Sequence, residues 1–255
     1  MEIDLNADVG EGFGPWRMGD DGALLDVISS ANIACGYHAG DPVIMDATVR
    51  LAAEKQIDIG AHVGFPDLMG FGRRQIDANP LELATYVLYQ LGALAGIAKA
   101  AGQKLTHMSF HGALGNMAAA DILLAEPLVR AVANFDKELI ISVSTGTAIE
   151  RVADKLGMRV ATSFLADRAY DASGNLVSRK LPGAVIHDPD AVMRRVLQVL
   201  QSRTVTSIEG QTLPMKVQSI LLHGDTQGAV SLAQAVRQAI ETGGGKVVPL
   251  SRLAR

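Results

Sequence analysis

Four of the six histidines, His38, His62, His111 and His223, stand in equivalent places. Each follows a short apolar run, lies beside glycine, and three have a nearby acid in Asp41, Asp67 or Asp225. A lone histidine is usually structural, but four in matching positions call for a chemical account. Imidazole is the usual acid/base group near neutral pH and a common ligand of divalent metals. An aspartate with two or three histidines suits Zn²⁺ or another ion with an open coordination position. No HExxH or paired CxxC pattern is present, so a metal centre and a metal-free acid/base cluster both stay open. His107 is assigned to a strand surface and His187 to a loop.

The densest stretch, Asn32 to Asp41 (NIACGYHAGD), holds Cys35, Tyr37, His38 and Asp41 between glycines. A glycine turn exposes an imidazole rather than packing it. Asp41-Pro42 also fits a helix N-cap followed by proline in the first turn, and Cys35 fits a small core residue. Asp8 and Glu11 flank the first glycine-rich loop as candidate bases or ligands; Glu11 reads equally as an exposed loop acid. Arg73 and Arg74 lie on a glycine-rich loop after His62, where guanidinium forks suit a carboxylate or phosphate. Asp167-Arg168 follows another strand-like run. No phosphate loop, no dinucleotide fingerprint and no G-x-S-x-G elbow occurs, so nothing proposes a nucleotide site within this chain.

The elements that must position these groups alternate. Strand patterns run over 2–9, from Asn32, 57–63, 105–110, 138–143, 158–164 and 217–222, with a last one near 246–249. Helical spacing covers 21–30, 43–56, 80–101, 121–135, 148–156, 188–201 and 227–241. Residues 166–185, with the Ser173-Gly174-Asn175 turn signal, read as an inserted hairpin or lid. This predicts a parallel sheet with right-handed crossovers in one domain over 1–255. Chemistry at every strand end favours a closed β/α barrel, where such positions share one rim, over an open sheet.

Bulk properties agree. The chain has 255 residues, 48% hydrophobic and 20% charged, with a net charge of −4, which disfavours nucleic acid or an anionic membrane as partner. One cysteine excludes an internal disulfide and suits a reducing compartment. The start of the chain has no basic n-region of a signal peptide, and the uncharged run Leu83–Ala98 reads as a buried helix rather than a membrane span. A cytoplasmic enzyme is expected.

The motifs DLNADVGEGFG (4–14), NIACGYHAGDP (32–42), AHVGFPDLMGFGRR (61–74), HGALGN (111–116), ADRAYDASGNLVSR (166–179) and HGD (223–225) resemble the LamB/YcsF family. That family is the A subunit of bacterial ATP-dependent 5-oxoprolinase. The resemblance implies a (β/α)7-type barrel of the glycoside hydrolase/deacetylase kind. It also implies opening of 5-oxo-L-proline to L-glutamate with ATP, together with subunits B and C; homo-oligomerisation stays open. By analogy with sugar deacetylases of similar fold, Asp8, His62 and His111 would be the metal positions. His38, Asp41 or Asp225 would activate water or protonate the leaving nitrogen, with Asp8, Glu11, His111 and His223 completing the catalytic set. Arg73, Arg74, Asp167, Arg168 and Asn6 would bind substrate.

Some positions depart from the family pattern. Where the family reads K-P-H-G-A-L-Y-N, this chain has Ser109, Phe110 and Gly115; Ser163 replaces an acid, and A-H-P-G is Ala61-His62-Val63-Gly64. The alternatives are therefore a divergent enzyme on another cyclic amide, a stand-alone metal-dependent deacetylase or amidase, and a non-catalytic paralogue docking through the helix at 80–101.

Overall fold

Along β1 (Glu2–Val9) the apolar set Ile3, Leu5, Ala7 and Val9 alternates with the polar set Asp4, Asn6 and Asp8, yet both sets are buried. Successive strand residues face opposite sides of a sheet. One side of β1 therefore meets helices, and the other fills the inside of a closed sheet. The computed structural model describes residues 1–226 and 228–253.

From β1 the chain continues through α1 (Asp21–Leu25), β2 (Ser30–Ala34), α2 (Pro42–Glu54), β3 (Asp58–Val63) and α3 (Pro80–Ala100). Next come β4 (His107–Phe110), α4 (Gly112–Ala120), α5 (Ile122–Phe135), β5 (Ile140–Val143), α6 (Ala148–Lys155) and β6 (Val160–Leu165). The last part holds α7 (Pro189–Ser202), the hairpin β7 (Thr204–Thr206) and β8 (Thr212–Pro214), β9 (Ser219–His223), α8 (Ala229–Thr242), β10 (Lys246–Val247) and α9 (Leu250–Leu253). Strands β1, β2, β3, β4, β5, β6 and β9 pair in that order, all parallel, and β9 pairs back onto β1. The expected seven-stranded barrel is thus closed, with β10 added beside the start of β1. The register aligns Asp8 with both Asn32 and His223, Ala34 with His62, and His62 with Ser109, which brings the strand ends to one rim.

Helix boundaries follow local chemistry. Asp41 caps α2 by accepting from the N–H groups of Val43 and Ile44, and Pro42 occupies the first turn. The 21-residue α3 is long and apolar enough to cross a membrane by length and composition alone. Here one of its faces, with Leu83, Val87, Leu91, Leu94 and Ala98, is buried on the barrel side, while Leu81 and Tyr89 are exposed. The buried Gln90 amide on that face bonds both the N–H and the C=O of Gly64 at 3.0 Å, just past β3.

Three expectations are corrected. The first helix ends at Leu25, because Ser30 already belongs to β2 and its hydroxyl bonds Asp4. Helix α4 and the β7–β8 hairpin carry no strong sequence pattern and were not expected. His107 is not on a strand surface: it is fully buried inside the barrel, its Nε2 3.0 Å from Asn32 Oδ1 and its Nδ1 2.8 Å from Thr106 Oγ1. Burial first, and then the charge of His62, pulls its pKa down to about 3. The start expected at Gln227 for the helix after β9 lies outside the described residues.

The interior is polar in layers. At the floor Asp4 accepts from the hydroxyls of Ser29 (2.8 Å), Ser30 (2.6 Å) and Ser219 (2.5 Å). Asn6, Asn32 and His107 form the next layer, and Asn32 Nδ2 donates upward to Asp8 Oδ1 at 2.8 Å. Burial pushes Asp4 up from its ordinary 3.8 to about 6, with the three hydroxyls opposing. The native state therefore holds this proton more tightly than the unfolded chain. The associated stability is present below about pH 4 and is lost as the pH rises through 6. A displacement of that size is worth roughly 3 kcal/mol. Asp4→Asn stays neutral throughout, so urea unfolding should show its stability rising relative to the wild type between pH 4 and pH 7. A constant difference across that range would remove Asp4 as the titrating group.

Candidate active site

Three βα loops and the end of β3 bring the reactive groups together. Glu11 follows β1, His38 lies in the glycine turn after β2, His62 is on β3, and His111 immediately precedes α4. All four are at most 5% exposed, which corrects the expectation that the glycine turn exposes His38. The loop after β3 folds over them. Asp67 caps a short 3₁₀ turn, Leu68–Gly70, and Phe71 and Gly72 then take the left-handed conformation, at φ 52° and 61°. A Cβ on Gly72 would lie 2.7 Å from His38 Cβ and 2.8 Å from His111 Cδ2, so this approach needs glycine.

The Phe71 carbonyl fixes the protonation pattern. It lies 2.8 Å from His111 Nε2 and can only accept, so that nitrogen carries the proton. In the neutral ring, His111 Nδ1 is then the acceptor for His62 Nε2–H at 2.9 Å. With His62 also neutral, its Nδ1 accepts from the Ser109 hydroxyl at 2.7 Å. A directed chain thus runs from Ser109 through His62 and His111 to the backbone of Phe71.

Charges around this chain are tuned by burial and by each other. Burial, then the charges of His38 and His62, holds His111 well below the ordinary imidazole range. His38 is lowered in the same direction by burial, His62 and Arg73. Its ring lies flat on His111, with centroids 3.8 Å apart and planes 5° from parallel. Two neutral rings tolerate that stacking; two cations would repel. Glu11 Oε1 is 3.3 Å from His38 Nε2 and 3.7 Å from His111 Nδ1. Burial, with the neighbouring Asp8 and Asp225, raises Glu11 well above the usual carboxylate range. Asp8 goes the other way: burial opposes ionisation, but His62, 3.4 Å away, outweighs it together with His223 and Asn32.

The donor set tests a metal directly. Glu11, His38, His62 and His111 each present a ligand atom within 4.8 Å of the others. Tetrahedral zinc with bonds of about 2.0–2.1 Å separates its ligand atoms by roughly 3.3 Å. The observed 2.9, 3.3 and 3.7 Å separations suit that scale. Parallel stacking sets a limit, however. An imidazole binds metal in its own plane, and one ion cannot lie in both the His38 and His111 planes. The cluster therefore fits an ion held by His62, Glu11 and one member of the stacked pair. Asp8, expected as a ligand, adjoins through His62.

At the mouth, His223 Nδ1 bonds the buried Asp167 at 2.9 Å, and Arg73 Nη2 bonds Asp225 at 2.7 Å while lying over the Phe71 ring. Other expected site residues fall elsewhere. Asp41 spends Oδ1 on the α2 cap and Oδ2 on the Gly14 N–H at 2.8 Å, which is a structural use. Arg74 turns outward, 65% exposed, and pairs with Asp67. Arg168 is buried, gripping the carbonyls of Val177 and Ala184. Asn6 lies one layer below Asp8 beside His107. Cys35 is fully buried against the Ile33 carbonyl, with its thiol pushed up to about 12, and behaves as core. Two contributors escaped the sequence reading of the site: Ser109, noted only as a departure, and the Phe71 carbonyl, which no side-chain pattern signals.

With this geometry in place, the likenesses to known proteins are specific. The LamB/YcsF family model matches residues 3–255. The chain belongs to the LamB/YcsF family. A 5-oxoprolinase A subunit from Pseudomonas syringae pv. tomato is 62% identical over 253 residues, covering 99% of both chains. The corresponding 5-oxoprolinase protein from Ralstonia nicotianae is also 62% identical, over 99% of this chain and 97% of that protein. The crystal structure of a lactam utilization protein from Thermus thermophilus superposes with a TM-score of 0.92 at 40% identity, over 97% of this chain and 99% of that one. A T48 deacetylase shares the fold alone, with a TM-score of 0.52 at 14% identity over 98% of this chain and 89% of that one.

Within this LamB/YcsF chain the departures are locally satisfied. Ser109 bonds His62, and Ser163 bonds Ser142 at 2.7 Å, so neither leaves a buried group unpaired. Gly115 has no room for a side chain: a Cβ would lie 2.6 Å from the Phe110 carbonyl and 3.3 Å from Phe110 Cβ. The ring geometry also predicts how divalent metal would bind. Calorimetric Zn²⁺ affinity should be lost in His62→Ala and Glu11→Gln, but retained in at least one of His38→Ala and His111→Ala. Loss in both of the latter would mean that the stacked pair opens to bind metal.

Proposed function

We propose that this protein is the lactam-opening component of an ATP-dependent 5-oxoprolinase, converting 5-oxo-L-proline to L-glutamate with partner subunits B and C. The observation that carries this is the 62% identity, over essentially the whole chain, to proteins named as the A subunit of 5-oxoprolinase. The site supports it. A five-membered lactam is held by amide resonance, so its carbonyl must be activated before water can add. The sequence holds no phosphate loop, and ATP is therefore assigned to the assembled complex. With ATP as co-substrate, the enzyme is assigned to the cytoplasm.

Opening the ring needs a base for the attacking water and a proton for the leaving nitrogen. Neutral His38, held far below the ordinary imidazole range and with its Nδ1 unpartnered among the described residues, suits the first task, and His111, whose two nitrogens are taken by His62 and Phe71, positions it by stacking. Glu11, raised by burial and by its acidic neighbours, holds a proton to give to the nitrogen as the C–N bond breaks. Water's oxygen ends in the new side-chain carboxylate and the nitrogen becomes the amino group. Asp8 stays ionised and steadies His62 when positive charge reaches it. With a divalent ion in the site, Glu11 would instead be ionised and would hold it together with His62 and one stacked ring; the ion would supply Lewis-acid polarisation of the carbonyl, and the proton for the nitrogen would come from the other stacked ring.

A second reading, a stand-alone metal-dependent amidase, draws on that same donor set. One experiment separates them: glutamate release from 5-oxoproline, with and without ATP and the cognate B and C subunits, alongside metal analysis of the purified chain. Release only in the complete mixture is expected. His38→Ala should lower it by at least ~100-fold, the lower end of what one acid/base group contributes, and His111→Ala should lower it as well. Turnover of amides without ATP or partners would instead establish the amidase. Full activity in both histidine variants would leave this chain without a catalytic role.

A further inference from the structure

Two groups near the mouth lack partners of opposite kinds. Asp225 follows β9, and its Oδ2 is held by Arg73, but its Oδ1 is buried with no hydrogen bond among the described residues. Its side chain is only 10% exposed, so water does little to satisfy that oxygen. The second group is Arg179, a half-buried guanidinium that makes no hydrogen bond or ion pair among the described residues. Arg179 belongs to the 166–185 insert, whose backbone is anchored. Arg168 holds the Val177 and Ala184 carbonyls, Val177 N–H bonds the Ala169 carbonyl, and Leu181 N–H bonds the Ser178 carbonyl at 2.9 Å. The insert is tied to the mouth, because Ile186 N–H bonds the carbonyl of Asp167, whose carboxylate holds His223; Arg179 is affected by burial first and then by the charges of Arg73, Asp225, Asp167 and Asp8. Arg168 and Arg179 also repel one another. An arginine free to choose would extend into water; this one is held half-buried, with Arg73 and the carboxylates of Asp225, Asp167 and Asp8 as its charged neighbours and its five donors unused.

Resting on the lactam reading above, we propose that Arg179 and Asp225 together select a lactam carrying a carboxylate on the carbon next to its nitrogen. Arg179 takes the carboxylate, and Asp225 Oδ1 accepts the ring N–H. Each partnerless group is then satisfied by one of two adjacent functions of the same molecule, and Arg73 fixes Asp225 for that task. This also orients the leaving nitrogen toward the buried Glu11 cluster. A lactam without the carboxylate leaves Arg179 unpaired, which a site built around a charged partner penalises strongly.

The test uses the chain assembled with its B and C subunits and compares 5-oxoproline with 2-pyrrolidinone, which lacks the carboxylate. The wild type should prefer 5-oxoproline by at least ~100-fold in kcat/KM, matching about 3 kcal/mol for a charged hydrogen bond. Arg179→Ala should raise KM for 5-oxoproline at least tenfold with a smaller change in kcat, and should narrow the preference. Arg179→Lys should recover part of it, at an unaltered melting temperature. An unchanged KM in Arg179→Ala overturns the proposal. An equal loss on both lactams overturns it too, because Arg179 would then serve a phosphoryl group derived from ATP. Calorimetric binding of 5-oxoproline to the same complex separates the two levels of argument. Binding that depends on Arg179 without glutamate release keeps the recognition site and removes the hydrolytic reading, and absence of binding removes both.

Discussion

A histidine taken out of water must find a partner for each ring nitrogen, and this requirement organises the upper half of the barrel. His111 meets it with a backbone carbonyl on one side and His62 on the other. His62 meets it with His111 and Ser109. Because one end of the chain is a carbonyl, which can only accept, the whole sequence of donors and acceptors has a single direction when the rings are neutral. The departure is His38, whose Nδ1 has no partner among the described residues while its face rests on His111. An unsatisfied buried nitrogen is costly in a structural core and is found where substrate or an ion completes the bonding.

The carbonyl that anchors this arrangement depends on an unfavourable backbone. Phe71 is a bulky residue in the left-handed region, a conformation that costs energy outside glycine. It is held there by the Asp67 turn, by glycines at 70 and 72, and by the N–H of Ala113 bonding the Gly72 carbonyl across to α4. The sequence GFGRR thus reads differently in space from what its arginines suggest. Its glycines and its backbone oxygen serve the histidines, and the arginines serve the mouth and the outer surface.

Much of the architecture is legible in the amino-acid sequence. Period-two and helical spacing placed most strands and helices, because each must bury one apolar face. The recurrence of histidine and acid after strand-like runs argued for one rim, and the closed sheet supplies it. The misses share a cause. Helix α4 has weak periodicity and two glycines, and its packing against α5 and α6 decides its state. His107 was given a strand surface because polar residues on alternating strands normally face water, whereas a barrel interior buries both faces.

The amino-acid sequence by itself determined the family, the alternation of strands and helices, and the inventory of imidazoles, carboxylates and guanidinium groups. These follow from local periodicity and from residue types, which need no knowledge of distant contacts. Only the tertiary structure decided which groups share a cavity and which are occupied elsewhere. It drew Glu11 into the histidine cluster, gave Asp41 to a helix cap and Arg168 to the insert, and turned Arg74 outward. It also left Arg179 and one oxygen of Asp225 without partners among the described residues. The reason is physical: charge and hydrogen-bonding capacity belong to a residue, but burial and pairing belong to its neighbours, and in a parallel barrel those neighbours come from distant parts of the chain.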